Sequence, residues 1–241
     1  MNRKSYKAVF LDWDDTIGDF SGAEQKALRL IFRKYRLDLL YTDFDSFFTV
    51  YEPYNLYVWQ QYGLGNMSIP ELEHLRFLHP LTEAMKYKNA KQGISPTDFD
   101  KMADRMAADF LQLTTDNFHL LPDAVESIKQ LAQRYPLTII SNGFVRVQYR
   151  KILRSGLMGY FEHIILSEEV NTQKPGKEIF DIALQRNHCT KDQAVMIGDS
   201  YTSDIQGAMN AGIDQIWITD DTERTATFKV SSLQQAADIL L

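Results

Sequence analysis

Asp12, Asp14 and Asp15 stand almost side by side in Asp12-Trp13-Asp14-Asp15-Thr16, directly after the apolar run Tyr6–Leu11. In an extended segment successive side chains point to opposite faces, so Asp12 and Asp14 point the same way. Two carboxylates held together repel unless a cation or a shared proton compensates. Gly198-Asp199-Ser200 and Asp204 bring further carboxylates after another apolar run. Magnesium takes oxygen ligands in near-octahedral geometry and keeps several waters, so one or two protein carboxylates and an anionic ligand oxygen suffice. Asp12 and Asp199 form the natural pair. Asp204 either stabilises a helix start against the dipole or orients Lys174 or Asp199.

Ser141-Asn142-Gly143 closes a third apolar run just before a helix-like segment. A hydroxyl and backbone N–H groups there bind an anion, helped by the helix dipole, although the same tripeptide also makes an ordinary turn. Lys174 precedes Pro175, which disfavours helix, so it falls in a loop. Alone it reads as a solvated charge. Beside Ser141 and two carboxylates it becomes a cation that neutralises a phosphate and the acids around it.

The elements that must position these residues follow from the apolar runs. Strands are expected at 6–11, 137–140, 163–166, 194–197 and 215–219, with helices at about 122–134, 145–155, 176–187 and 202–211. Strands alternating with helices imply an α/β fold, a Rossmann-like doubly wound parallel sheet. Ligands of such sheets bind beyond the carboxyl ends of the strands, where all the polar clusters fall.

Residues 18–119 break the alternation. Ser21-Gly22-Ala23-Glu24 and Ser68-Ile69-Pro70-Glu71 read as capping boxes, and Ser95-Pro96-Thr97-Asp98 opens a third helix. The expected division is therefore a core of 1–17 and 120–241 with an inserted α-helical domain, 18–119. Nine aromatics lie between Tyr41 and Tyr62; they either stack on a nucleobase or fill the core of the insert.

Among 241 residues, 26 Lys and Arg face 32 Asp and Glu, a formal charge of −6 without a basic stripe. This argues against a nucleic-acid polymer as partner. The single cysteine, Cys189, excludes an internal disulfide and a multi-cysteine metal cluster. Met1 to Lys7 is polar, and no stretch has the apolar length of a membrane span, so no membrane association and a cytoplasmic location are expected.

Taken in order, Asp12-Trp13-Asp14-Asp15-Thr16, Ser141, Lys174 and Gly198-Asp199 through Asp204 resemble the four motifs of the haloacid dehalogenase-like (HAD) hydrolases. The insert looks like the helical cap of subfamily I. The resemblance implies a phosphohydrolase with Mg2+ as cofactor and a small phosphorylated substrate. Asp12 is then the nucleophile, ionised at neutral pH, and Asp14 the general acid and base. Asp12, the main-chain carbonyl of Asp14 and Asp199 hold the metal. Ser141, the Asn142 and Gly143 amides and Lys174 hold the phosphoryl group, and Thr16 steadies the loop.

The resemblance also implies a cap that closes on hinges near 17–20 and 117–122. Ser141-Asn142-Gly143-Phe144, Ser155 to Phe161, Ser167-Glu168-Glu169-Val170, and an acid at Asp15 where many relatives carry glycine, look most like the pyrimidine 5'-nucleotidase branch. Phe20 and Phe144 either lie near the leaving group or pack core against cap. A sugar-phosphate mutase shares the motifs. A 2-haloacid dehalogenase needs neither the metal nor the second aspartate, and a non-catalytic binding protein would have lost one of them. A monomer or weak homo-oligomer is expected.

Overall fold

The computed structural model describes residues 5–86 and 98–241. The chain runs β1 (Ala8–Leu11), α1 (Phe20–Lys34), α2 (Phe44–Gly63), α3 (Ile69–Ala84), α4 (Phe99–Asp116), α5 (Ala124–Ala132) and β2 (Leu137–Ser141). It continues through α6 (Val145–Arg154), β3 (Phe161–Leu166), α7 (Ser167–Val170), α8 (Lys177–Arg186), β4 (Ala194–Gly198), α9 (Gln206–Ala211), β5 (Asp214–Ile218), β6 (Phe228–Val230) and α10 (Leu233–Leu240). None of the described helices is long and apolar enough to cross a membrane.

All six strands are parallel, in the order β3-β2-β1-β4-β5-β6. Every residue of β1, β2 and β4 is buried, which is why they read as unbroken apolar runs rather than alternating ones. The alternation survives as a division between the two faces. Val9, Leu11, Leu137, Ile139, Val195 and Ile197 pack with Ile128 of α5 and Leu233 of α10. Ala8, Phe10, Ile140, Ala194 and Met196 pack with Ile179 and Phe180 of α8 and Ala208 of α9. Chain direction across the sheet reverses beside β1, the point at which a doubly wound sheet opens a crevice.

Two compact units divide the described residues: one takes in the chain up to Ser21 and from Phe118 onward, the other spans Gly22–Asn117. The second unit is helical. Its α3 starts on the expected box, Ser68 accepting from the Glu71 N–H while Glu71 reaches back. The Ser21 box does not form. α1 begins one residue earlier, and Ser21 gives its N–H and hydroxyl to Asp15 instead. The expected helix start at Ser95 lies outside the described residues.

From Phe44 on the aromatic stretch is α2, a helix that the periodicity did not announce because Leu56 and Tyr57 stand exposed among its polar residues and Pro53 sits inside it. Phe44, Phe47, Phe48 and Tyr51 form a chain of ring contacts continued by Phe77 and Phe110. Phe47 and Tyr51 are buried there, while Tyr57 is exposed. β6 and α10 were likewise not anticipated.

Candidate active site

Asp12 follows β1 directly, and its N–H donates to Ile197 O of the neighbouring strand β4. That bond extends the ladder by one residue and fixes the carboxylate at the sheet edge. Thr16, fully buried, donates from Oγ1 to Asp199 Oδ1 at 3.0 Å. The loop after β1 and the loop after β4 are thus tied together. Asp15 adopts a left-handed backbone, φ 57°, a conformation that glycine tolerates freely and aspartate better than most. Its carboxylate accepts Ser21 N–H at 2.8 Å and Ser21 Oγ–H at 2.7 Å, satisfying free donors of the first turn of α1.

Lys174 sits at the centre. Its Nζ donates to Asp12 Oδ1 at 2.7 Å and Asp204 Oδ1 at 2.6 Å, and the residue is almost wholly buried. Burial opposes its charge, but the carboxylates of Asp12 and Asp204 outweigh burial and hold the ammonium above its ordinary range. Asp204, fully buried, has its second oxygen on the Ser200 N–H. It lies in a π-helical turn, Tyr201–Ile205, a local widening often found at functional sites. Gly198 leaves the room for it, since a Cβ there would fall 2.3 Å from Asp204 Oδ2. The contacts serve both readings of Asp204: one oxygen orients Lys174, and the other takes an N–H at the start of the turn.

Asp12, Asp199 and Asp204 offer carboxylate oxygens within 4.8 Å of one another. Burial pushes Asp12 up to about 7; Lys174 counters this in part, and Asp204 and Asp14 add to it. Burial, with Asp204, Asp12 and Asp15 adding repulsion, pushes Asp199 up to about 8. One lysine does not balance three buried acids, so an ionised Asp12 calls for a further cation beside it. A divalent cation on Asp12 and Asp199 fits that deficit and the oxygen-only donor set.

Ser141, at the end of β2, is buried, and its Oγ accepts from Gly143 N at 3.1 Å and Gln148 Nε2 at 2.7 Å. The Gly143 amide, expected to face an anion, is turned onto Ser141 here. Asn142 uses its side chain structurally, with Nδ2 donating to Lys174 O at 2.8 Å and Oδ1 accepting Lys174 N–H at 2.9 Å. Asp14 accepts Gln148 Nε2 at 2.9 Å on Oδ2 and Lys151 Nζ at 2.7 Å on Oδ1. Lys151, almost wholly buried, also lies over the Phe20 ring, 4.6 Å from its centroid. Phe144 is buried at the start of α6.

Gln148 and Lys151 were not read from the sequence. A glutamine and a lysine on a helix look solvent-facing. The signal was their spacing on α6, three apart and so on one face, directly after the Ser141 segment. Trp217 of β5 was missed too; its Nε1–H donates to Asp199 O at 2.7 Å, with Tyr201 and Arg224 packed on its ring. Glu168 in the nucleotidase-like segment has a structural task, accepting Val145 N–H at the start of α6. Burial raises the Cys189 thiol, so it is no activated nucleophile.

The model of the haloacid dehalogenase-like hydrolases matches residues 44–218. YfnB of Bacillus subtilis, named as a HAD hydrolase, is 30% identical over 98% of this chain and 96% of its own length. Its crystal structure, described as bound to magnesium, superposes with a TM-score of 0.81 at 29% identity, covering 98% of this chain and 99% of that one. The pyrimidine 5'-nucleotidase PynA of Streptococcus pneumoniae is 30% identical over 98% of this chain and 95% of its own length.

Proposed function

The chain belongs to the haloacid dehalogenase-like hydrolase family, and from that premise we propose that it is a magnesium-dependent phosphatase of small phosphomonoesters, nucleoside monophosphates foremost. The observation that carries this reading is the Lys174 bridge between Asp12 and Asp204 at the mouth of the sheet. Asp12 forms the new bond to phosphorus while the bond to the leaving oxygen breaks, and Asp14 gives that oxygen its proton. Water then attacks the aspartyl-phosphate as Asp14 takes a proton from it, releasing inorganic phosphate and restoring Asp12.

Lys174 and the Ser141 hydroxyl hold the phosphoryl oxygens, which is most of what such a transfer requires. Magnesium, when held by Asp12, Asp199 and the main-chain carbonyl of Asp14, neutralises charge on the phosphoryl group and opens phosphorus to attack. The magnesium of the YfnB structure supports this choice of ion. The name of PynA supports nucleotides as substrates. Selection among phosphate esters we assign to the helical unit Gly22–Asn117, acting as a cap.

The test is phosphate release from a panel of nucleoside monophosphates, phosphoglycolate, hexose phosphates and p-nitrophenyl phosphate. Magnesium-dependent release, abolished by EDTA and by Asp12→Asn, is expected. No release from any ester, by folded protein that binds magnesium, overturns the reading.

A further inference from the structure

Gln148 is fully buried, and its Nε2 uses both of its protons inside the site: one goes to Asp14 Oδ2 at 2.9 Å, the other to Ser141 Oγ at 2.7 Å. Oε1 of Gln148 is buried with no hydrogen-bond partner among the described residues. A hydrocarbon side chain of the same size would avoid that unmet acceptor, so packing alone does not account for a glutamine here. The backbone makes room for it as well: a Cβ at position 143 would fall 2.3 Å from Gln148 Nε2, and the residue there is glycine.

The consequences at its two partners differ. Ser141 Oγ already accepts from Gln148 and from Gly143 N. With its acceptor sites filled, the hydroxyl proton is left to donate, the orientation a phosphoryl oxygen needs. On Asp14, Gln148 holds one oxygen and Lys151 the other, which fixes the plane of the carboxyl group. Each oxygen keeps a further lone pair for proton exchange with the leaving group.

We propose that Gln148 is a positioning residue whose single amide couples the proton-transfer carboxyl of Asp14 to the phosphate-gripping hydroxyl of Ser141. It sets both at once for the transfer in which the Asp12–phosphorus bond forms and the leaving oxygen takes the Asp14 proton. The inference rests on the phosphatase reading above.

The test compares kcat/KM of the wild-type chain and Gln148→Met over phosphomonoesters of rising leaving-group basicity, from p-nitrophenyl to phenyl to a nucleoside 5'-monophosphate. Because kcat/KM stops at the first irreversible transfer, it reports the protonation step. The nitrophenolate leaves with little help, so its ester is expected to lose about threefold; the nucleotide, which needs the proton, is expected to lose about thirtyfold or more. The melting temperature is expected to hold within a few degrees, since the variant removes the unmet acceptor.

Gly143→Ala is the second probe, displacing the amide without deleting it, with the same leaving-group bias expected should Gln148→Met not fold. Equal losses across the series, or none, overturn the role of Gln148 while leaving the phosphatase reading intact. A wild-type chain that releases phosphate from none of the esters overturns both.

Discussion

Asn142 grips the peptide of Lys174 by both ends, one hydrogen bond to its carbonyl at 2.8 Å and one from its N–H at 2.9 Å. The residue following Ser141 therefore holds the backbone of the central lysine, so the two parts of the proposed phosphate grip share one support. Asn142→Ala removes both bonds and frees the Lys174 loop. A drop of about tenfold to a hundredfold in kcat/KM is expected, as for a displacement of roughly 1 Å in a reacting group. Steady-state kinetics checks this, and magnesium binding, whose proposed ligands lie on other loops, is expected to change less.

The buried acids make stability depend on pH in a definite direction. Burial and mutual repulsion push Asp12 up to about 7 and Asp199 up to about 8, well above an ordinary carboxylate. The native state then binds more protons than the unfolded one between roughly pH 4 and pH 8, so their contribution is full at low pH and is lost as pH rises through that window. Lys174, also raised, keeps its contribution throughout this range. In EDTA the melting temperature is expected to fall from pH 5.5 to pH 8. Magnesium near a hundredfold over its Kd restores on the order of 5 to 10 °C, more at pH 8 than at pH 5.5. Differential scanning calorimetry at the two pH values decides it.

Trp217 anchors the carbonyl of Asp199 through its indole N–H. Trp217→Phe keeps an aromatic ring but loses that donor, releasing the loop that carries Asp199, a proposed metal ligand. Supports of this kind are worth roughly tenfold to a hundredfold in metal affinity. A rise of about tenfold in the magnesium concentration for half activation is expected, with kcat at saturating magnesium falling less.

Asp15 separates backbone from capping effects. Asp15→Gly relieves the left-handed conformation but loses the bonds to Ser21, while Asp15→Ala loses the bonds and keeps the strain. Urea unfolding should rank wild type above or level with glycine, and alanine about 1 kcal/mol below glycine.

The sequence was legible where the physics is local. A strand buried on both faces must be an apolar run, and the acids after β1 and β4 could be seen against it. Ser141 and Lys174 stood out only because such ends converge. What stayed hidden depends on the third dimension. β6 has three residues, two of them exposed, so it carries no pattern. α2 exposes Leu56 and Tyr57, which blurs its period, and Gln148 and Lys151 look like surface residues until β1 is set beside β2.

The place of β1 between β2 and β4 has a consequence for how the protein is made. Asp12 is synthesised before Lys174 and Asp199, which come from the far half of the chain, and one of the two neighbours of β1 with them. A nascent chain that has emerged only through β3 has Asp12 on a strand with one bare edge, an open template for pairing with other chains. Chemical competence therefore arrives with the last large step of folding, and enzymatic activity reports completed topology, not merely secondary structure.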